Sequence, residues 1–181
     1  MIALVTMALL SGAPGAGPLG TLPEVLPEPN VLTVEPLGVV FAKTIALEYE
    51  RRITHGFSLA LSPAIALGDV TKTETNGSYL AFGVTLAARV YPWSAAPEGA
   101  FVSPFGGVAY VEADDGAGTS VDGIGWSAGG MVGYTFILGR FFVFSMGAGA
   151  AWIDQELHVG AETSGKRGVY PALRLAIGGS F

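Results

Sequence analysis

Bulky apolar residues fall on every second position over most of the chain. Phe142, Phe144, Met146 and Trp152 alternate with Val143, Ser145, Gly147 and Ala151. Ile124, Trp126, Val132, Tyr134 and Phe136 alternate with Gly125, Ser127, Gly133 and Thr135. Leu80, Phe82, Val84 and Leu86 alternate with Ala81, Gly83, Thr85 and Ala87, and Phe57, Leu59, Leu61 and Leu67 with Ser58, Ala60, Ser62 and Gly68. A period of two is the signature of β-strands, whose successive side chains point to opposite faces. The alternation predicts strands at residues 44–52, 57–68, 78–91, 101–113, 124–137, 141–153 and 169–181. Polar connections separate them, long at 69–77, 114–123 and 155–168 and shorter at 54–56, 93–99 and 138–140.

The two faces of these strands are unlike in a telling way. One is large and apolar; the other is Gly, Ala, Ser and Thr, with almost no Lys or Glu to meet water. A soluble barrel turns its large apolar residues inward and its charges outward. A membrane barrel does the reverse, with bulky residues toward lipid and small or polar ones toward the lumen. The reading is therefore an all-β, eight-stranded antiparallel transmembrane up-and-down barrel spanning 30–181. Single-chain bacterial barrels have even strand counts. The eighth strand is expected at 31–40, turning near 41–43 so that Lys43 sits at the outer rim.

Composition agrees. Half of the 181 residues are hydrophobic and only 13% are charged, against about 25% in ordinary soluble domains. Twenty-seven Gly and 11 Pro argue against a helical bundle, and zero Cys excludes thiolate metal sites. A net charge of −6 argues against nucleic acid, whose phosphates attract basic faces. No cofactor is expected.

The N-terminal apolar run at 2–10 has the length of a signal-peptide core, too short for a bilayer span of ~20 residues. Small residues Ala13 and Gly15 suit a cleavage site, which places a signal peptide at 1–15 and Sec-type export. Residues 16–29, with Pro23, Pro27 and Pro29, read as an extended linker.

At the C-terminus Leu173, Leu175, Ile177 and Phe181 share one parity, interleaved with Arg174, Ala176, Gly178 and Ser180. This segment resembles the aromatic-ended assembly signal of bacterial outer-membrane proteins, which implies the barrel-assembly machinery as a partner during insertion. Asn30, Pro36-Leu37-Gly38, Leu47-Glu48-Tyr49-Glu50-Arg51, Phe57-Ser58-Leu59, Ala88-Arg89-Val90-Tyr91-Pro92 and Phe101-Val102-Ser103-Pro104-Phe105-Gly106-Gly107-Val108 extend the likeness. Together they resemble the small eight-stranded outer-membrane barrel families of uncharacterised function, of the DUF3575 type and OmpA/OmpX-like. The resemblance implies a fold and a bacterial outer-membrane location among lipid and lipopolysaccharide. It brings no catalytic residues.

Candidate chemistry is sparse. Glu48, Glu50, Arg89 and Arg174 all fall on small-residue faces and are expected to meet as a lumen salt-bridge network, because buried charges must be paired. Glu48 and Arg174 are expected at mid-barrel depth, with Glu50 and Arg89 lower. Tyr49, Tyr91, Trp93, Tyr110, Trp126, Phe142 and Trp152 are expected to form aromatic girdles at the two membrane interfaces. Glu112, Asp114, Asp115 and Asp122 make an acidic loop without EF-hand spacing. Two histidines offer the alternative of a lipid-modifying enzyme: His55 beside Arg51 and Arg52, and His158 near Asp154, Glu156 and Ser164. The favoured reading is a monomeric, non-enzymatic structural or interaction protein with a closed lumen. The remaining alternative is a narrow channel or carrier for small or apolar molecules.

Overall fold

The structure, a computed structural model, describes residues 28–72, 75–114, 120–159 and 162–181. The expected signal peptide and all but the last two residues of the expected linker lie outside them. The element order is β1 (Asn30–Val34), α1 (Pro36–Ala42), β2 (Thr44–Thr54), β3 (Phe57–Lys72), β4 (Thr75–Val90), β5 (Gly99–Asp114), β6 (Ser120–Leu138), β7 (Phe142–Val159) and β8 (Glu162–Ser180). Each strand pairs antiparallel with the next, and β8 returns to β1 to close an all-β, eight-stranded barrel.

Two expectations are corrected. The first strand does not run through 31–40: it stops at Val34, and α1 takes over. The local cause is Glu35-Pro36. A residue before proline is held extended, and Glu35 has φ −106° and ψ 93°. Pro36 then occupies the first helical turn, where its missing N–H is not needed. Lys43 ends the helix in the left-handed conformation, with its N–H donated to the Gly38 carbonyl. Gly38 is required there, since a Cβ would lie 2.8 Å from the Thr44 carbonyl oxygen.

The second correction concerns the upper connections. The stretches 69–77, 114–123 and 155–168 are largely strand: β3 runs to Lys72, β4 starts at Thr75, β6 starts at Ser120, and β7 reaches Val159. The hairpins extend the barrel wall, which makes β6 and β8 nineteen residues each. A spanning strand needs ~9–11.

Parity sorts the side chains as the alternation requires. Leu86, Val132, Leu173 and Phe82 are exposed outside, while Ser58, Ala60, Ser103, Thr135, Val143 and Ala176 are buried inside. Small residues line the lumen because eight strands enclose a narrow interior. Where an aromatic does point inward, a glycine faces it in the β5–β6 register: Phe101 pairs with Gly133, and Phe105 with Gly129. A Cβ on Gly129 would sit 2.7 Å from the Phe105 ring.

The lower end, which carries the short turns, holds a small buried cluster. Tyr91 and Phe101 pack with Ala96 from the 91–98 loop, and Met131 covers them. Ala96 donates its N–H to the His55 carbonyl at 2.6 Å, and Arg52 reaches the Ala96 carbonyl at 3.4 Å. Tyr91 is thus a lumen residue, only 2% exposed, and not part of an outer girdle. Its parity is that of Arg89, two residues earlier, so the strand pattern itself turns it inward. Tyr49, Tyr110, Trp126, Phe142 and Trp152 are exposed on the outer face, and Trp93 is exposed in the 91–98 loop.

Candidate functional site

The polar centre of the barrel is built from four places in the chain. β2 directs Glu48 and Glu50 inward on one parity, β4 adds Arg89 with Tyr91 just past its end, β8 adds Arg174, and the β1–α1 junction adds Glu35. Arg89 bridges both carboxylates of β2: one guanidinium nitrogen pairs with Glu48 at 2.6 Å and another with Glu50. Arg174 pairs with the other oxygen of Glu48 and lies 3.4 Å from Glu35. Glu48 therefore sits between two guanidiniums, and the four expected residues form one connected network.

Neutral partners complete it. Ser58 and Tyr91 donate to Glu50, the latter at 2.7 Å. Ser62 donates to Glu48 at 3.2 Å, and Arg174 donates to Ser145, which also bonds Thr135 at 2.9 Å. The Arg89 guanidinium lies 5.2 Å from the centre of the Phe101 ring, a cation–π contact. Isolated charges in such a place would be untenable, but paired and hydrogen-bonded ones persist. Every carboxylate in the cluster faces a guanidinium.

Four members escape a reading based on charge pairs alone. Glu35 shares the parity of Val31 and Thr33 and so points inward; reading 31–40 as an unbroken strand hid its role beside Arg174. Tyr91 was placed with the interfacial aromatics. Ser58 and Ser145 carry only the signal of small inward residues.

The two histidines lie elsewhere. His55 is exposed in the β2–β3 turn at the lower end. His158 is a strand residue paired with Thr163 near the upper end of β7, and its side chain lies outside the described set, as do those of Glu156 and Ser164. Asp154 is paired with Arg167 at 3.5 Å on the outer face. Of the acidic loop, Glu112 and Asp122 are cross-strand neighbours on β5 and β6, while Asp115 is outside the described residues. Among the described residues no group of three acidic, His or Cys side chains forms a metal-holding cluster.

At the C-terminal strand Leu173 and Ile177 are exposed on the outer face, and Phe181 follows β8 at the lower rim. Phe181 exchanges both backbone hydrogen bonds with Asn30, and the Asn30 side chain also donates to its carbonyl at 3.1 Å. Tyr49 donates to the same Asn30 side chain at 2.8 Å, tying the end of the barrel to its beginning.

No protein-family model matches the chain, and no curated protein matches it.

Proposed function

We propose that the chain is a monomeric bacterial outer-membrane β-barrel of structural or interaction type, non-enzymatic, with no path for solutes through its lower half. One observation carries the location. Between two levels of the outer wall, the described outward positions carry no charged side chain. From Phe142 to Trp152 is ten residues of β7. At ~3.3 Å per residue and a tilt of ~40° they rise about 25 Å, the height of the apolar band of outer-membrane barrels. Charges resume just beyond each edge. Above lie Arg167 with Asp154 and Glu112 beside Asp122; below lie Arg51 and the pair Arg140–Glu28 at 3.5 Å. Aromatics mark the same edges: Trp126, Trp152 and Tyr110 above, Phe136, Phe142 and Tyr49 below. The surface of a soluble barrel would scatter its Lys and Glu through this belt.

The outward row of the last strand favours recognition by the barrel-assembly machinery, in line with the resemblance to the DUF3575-type families. Phe181→Ala keeps the backbone clasp to Asn30 and removes only the ring. Its expected effect is slow insertion, with protein accumulating in the periplasm while the fraction that does insert retains parental heat stability. Unchanged insertion kinetics would remove the assembly-signal reading.

The role inside the membrane follows from the plug. The Glu48–Arg89–Glu50 cluster and the Tyr91–Phe101–Ala96 seal fill the lower lumen, and the extended hairpins offer the external surface. In planar bilayers the purified protein should show negligible or rare, flickering conductance. A steady large conductance would mean that the charged cluster lines an open path, and would favour the channel reading.

A further inference from the structure

The barrel wall is uneven beside β1. That strand has five residues and β8 has nineteen, so β8 has a β1 partner only over 177–180. Above this level the ladder gives way to α1, which lies against both β2 and β8. The direction of the free edge can be worked out from the hydrogen bonds. Phe181 donates its N–H to Asn30 of β1, and Ser180 donates its N–H to Phe141 on the β7 side. Backbone groups alternate sides along a strand, and the β7–β8 register is unbroken from Phe142–Gly179 to Val159–Glu162. Pro171, Leu173 and Leu175 therefore turn their backbone toward the gap. Proline belongs on such an edge, because it has no N–H to leave unpaired.

A cavity of about 280 Å³ lies behind this edge. Ala172, Leu173 and Arg174 of β8 line it together with Glu35 and Thr44, which flank α1, so the cavity abuts the wall between β8 and α1. Its walls are Ala46, Ala64, Ala87, Phe105 and Met131, and its polar floor is Glu48, Arg89, Arg174 and Ser103. The Ser103 hydroxyl and the Arg89 Nε are buried without a hydrogen-bond partner. Buried polar atoms of this kind call for an acceptor. That acceptor is not an anion: Glu35, Glu48 and Glu50 outnumber Arg89 and Arg174, so a negative head group meets an excess of carboxylates. The volume is at the small end of ligand pockets, which run from roughly 300 Å³ upward. It suits one alkyl chain and not a multi-chain lipid.

We propose that this cavity binds a single-chain amphiphile with an uncharged, oxygen-bearing head group (alcohol, ester or amide), which enters sideways from the bilayer between β8 and α1. The head accepts hydrogen bonds from Ser103 and Arg89, and the tail leaves past Leu173. The site rests on the membrane-embedded reading, and the test separates the two. The folded full-length protein is reconstituted into phosphatidylcholine vesicles with dodecanol carrying a nitroxide on its chain. Flotation reports embedding, and electron paramagnetic resonance reports the site. The expected spectrum has a strongly immobilised component that saturates at about one probe per barrel, as one cavity of this size allows. Unlabelled dodecanol displaces the probe, whereas dodecanoate is weaker by about tenfold or more, the penalty of a like-charge contact. Ala64→Trp, checked for folding by heat-modifiable migration, removes the component by filling the cavity. If that variant does not fold, the competition between the two dodecyl amphiphiles decides alone. Flotation without an immobilised component, or equal competition by dodecanoate, overturns the site and leaves the embedding intact. Failure to float overturns both.

Discussion

Arg89→Met is expected to be the most damaging single change in the barrel. It strands Glu50 in the lumen and takes from Glu48 one of its two guanidiniums, leaving it Arg174 alone. Removing one partner of a buried ion pair costs ~3–5 kcal/mol, most of it the desolvation of the charge left behind. The companion experiment separates charge from packing. Adding Glu50→Gln removes the uncompensated charge and leaves the Glu48–Arg174 pair in place, so the double variant should recover much of the loss in urea-unfolding midpoint. Arg174→Ala combined with Glu48→Ala should likewise cost less than the two single changes summed, because the residues touch. Strict additivity would show that the charges are independently solvated and line an open path. Such a network is a specificity device more than a source of stability, since a well-packed apolar core of the same volume can be equally stable.

Leu86→Arg is expected to have the next largest effect. Leu86 is exposed near the middle of the outer belt, where the environment decides the cost. On a soluble surface the substitution is nearly neutral, within about 0.5 kcal/mol. In hydrocarbon an arginine near the midplane costs ~2–4 kcal/mol, falling toward zero near the interfaces. Folding into phospholipid vesicles should therefore weaken sharply for Leu86→Arg and hardly at all for Glu112→Arg, above the belt. Equal, small effects at both positions would remove the lipid from the account.

How much of this was legible in the sequence depends on which physical signal each part leaves. Seven strands and their facing were readable because the outer wall carries bulky apolar residues and the narrow lumen admits only small ones, which sets opposite size rules for alternate residues. That alternation of size is absent from the polar stretches 69–77, 114–123 and 155–168. The upper hairpins therefore look like loops in the sequence, although β3 and β4 remain paired out to Lys72 and Thr75. The truncation of β1 was signalled by Glu35-Pro36 and Gly38, but Val39 and Val40 favour a strand, and the even-count rule made one attractive. Parity already turned Tyr91 and Glu35 inward; grouping residues by type, aromatics with girdles, overrode it for Tyr91. Ser58 and Ser145 as hydrogen-bond partners were beyond reach, because any small polar residue satisfies the lumen size rule.

The most direct measurement is cysteine scanning of the two faces in the membrane, which the absence of native Cys makes clean. Phe82→Cys, Leu86→Cys, Val132→Cys and Leu175→Cys should react with a lipid-soluble maleimide. Gly83→Cys, Thr85→Cys and Ser127→Cys should be protected from it. Preferential labelling of the second set would place the small-residue face against lipid and contradict the barrel's orientation. Rapid labelling of the first set by a charged, membrane-impermeant maleimide would place that face in water and contradict its membrane location.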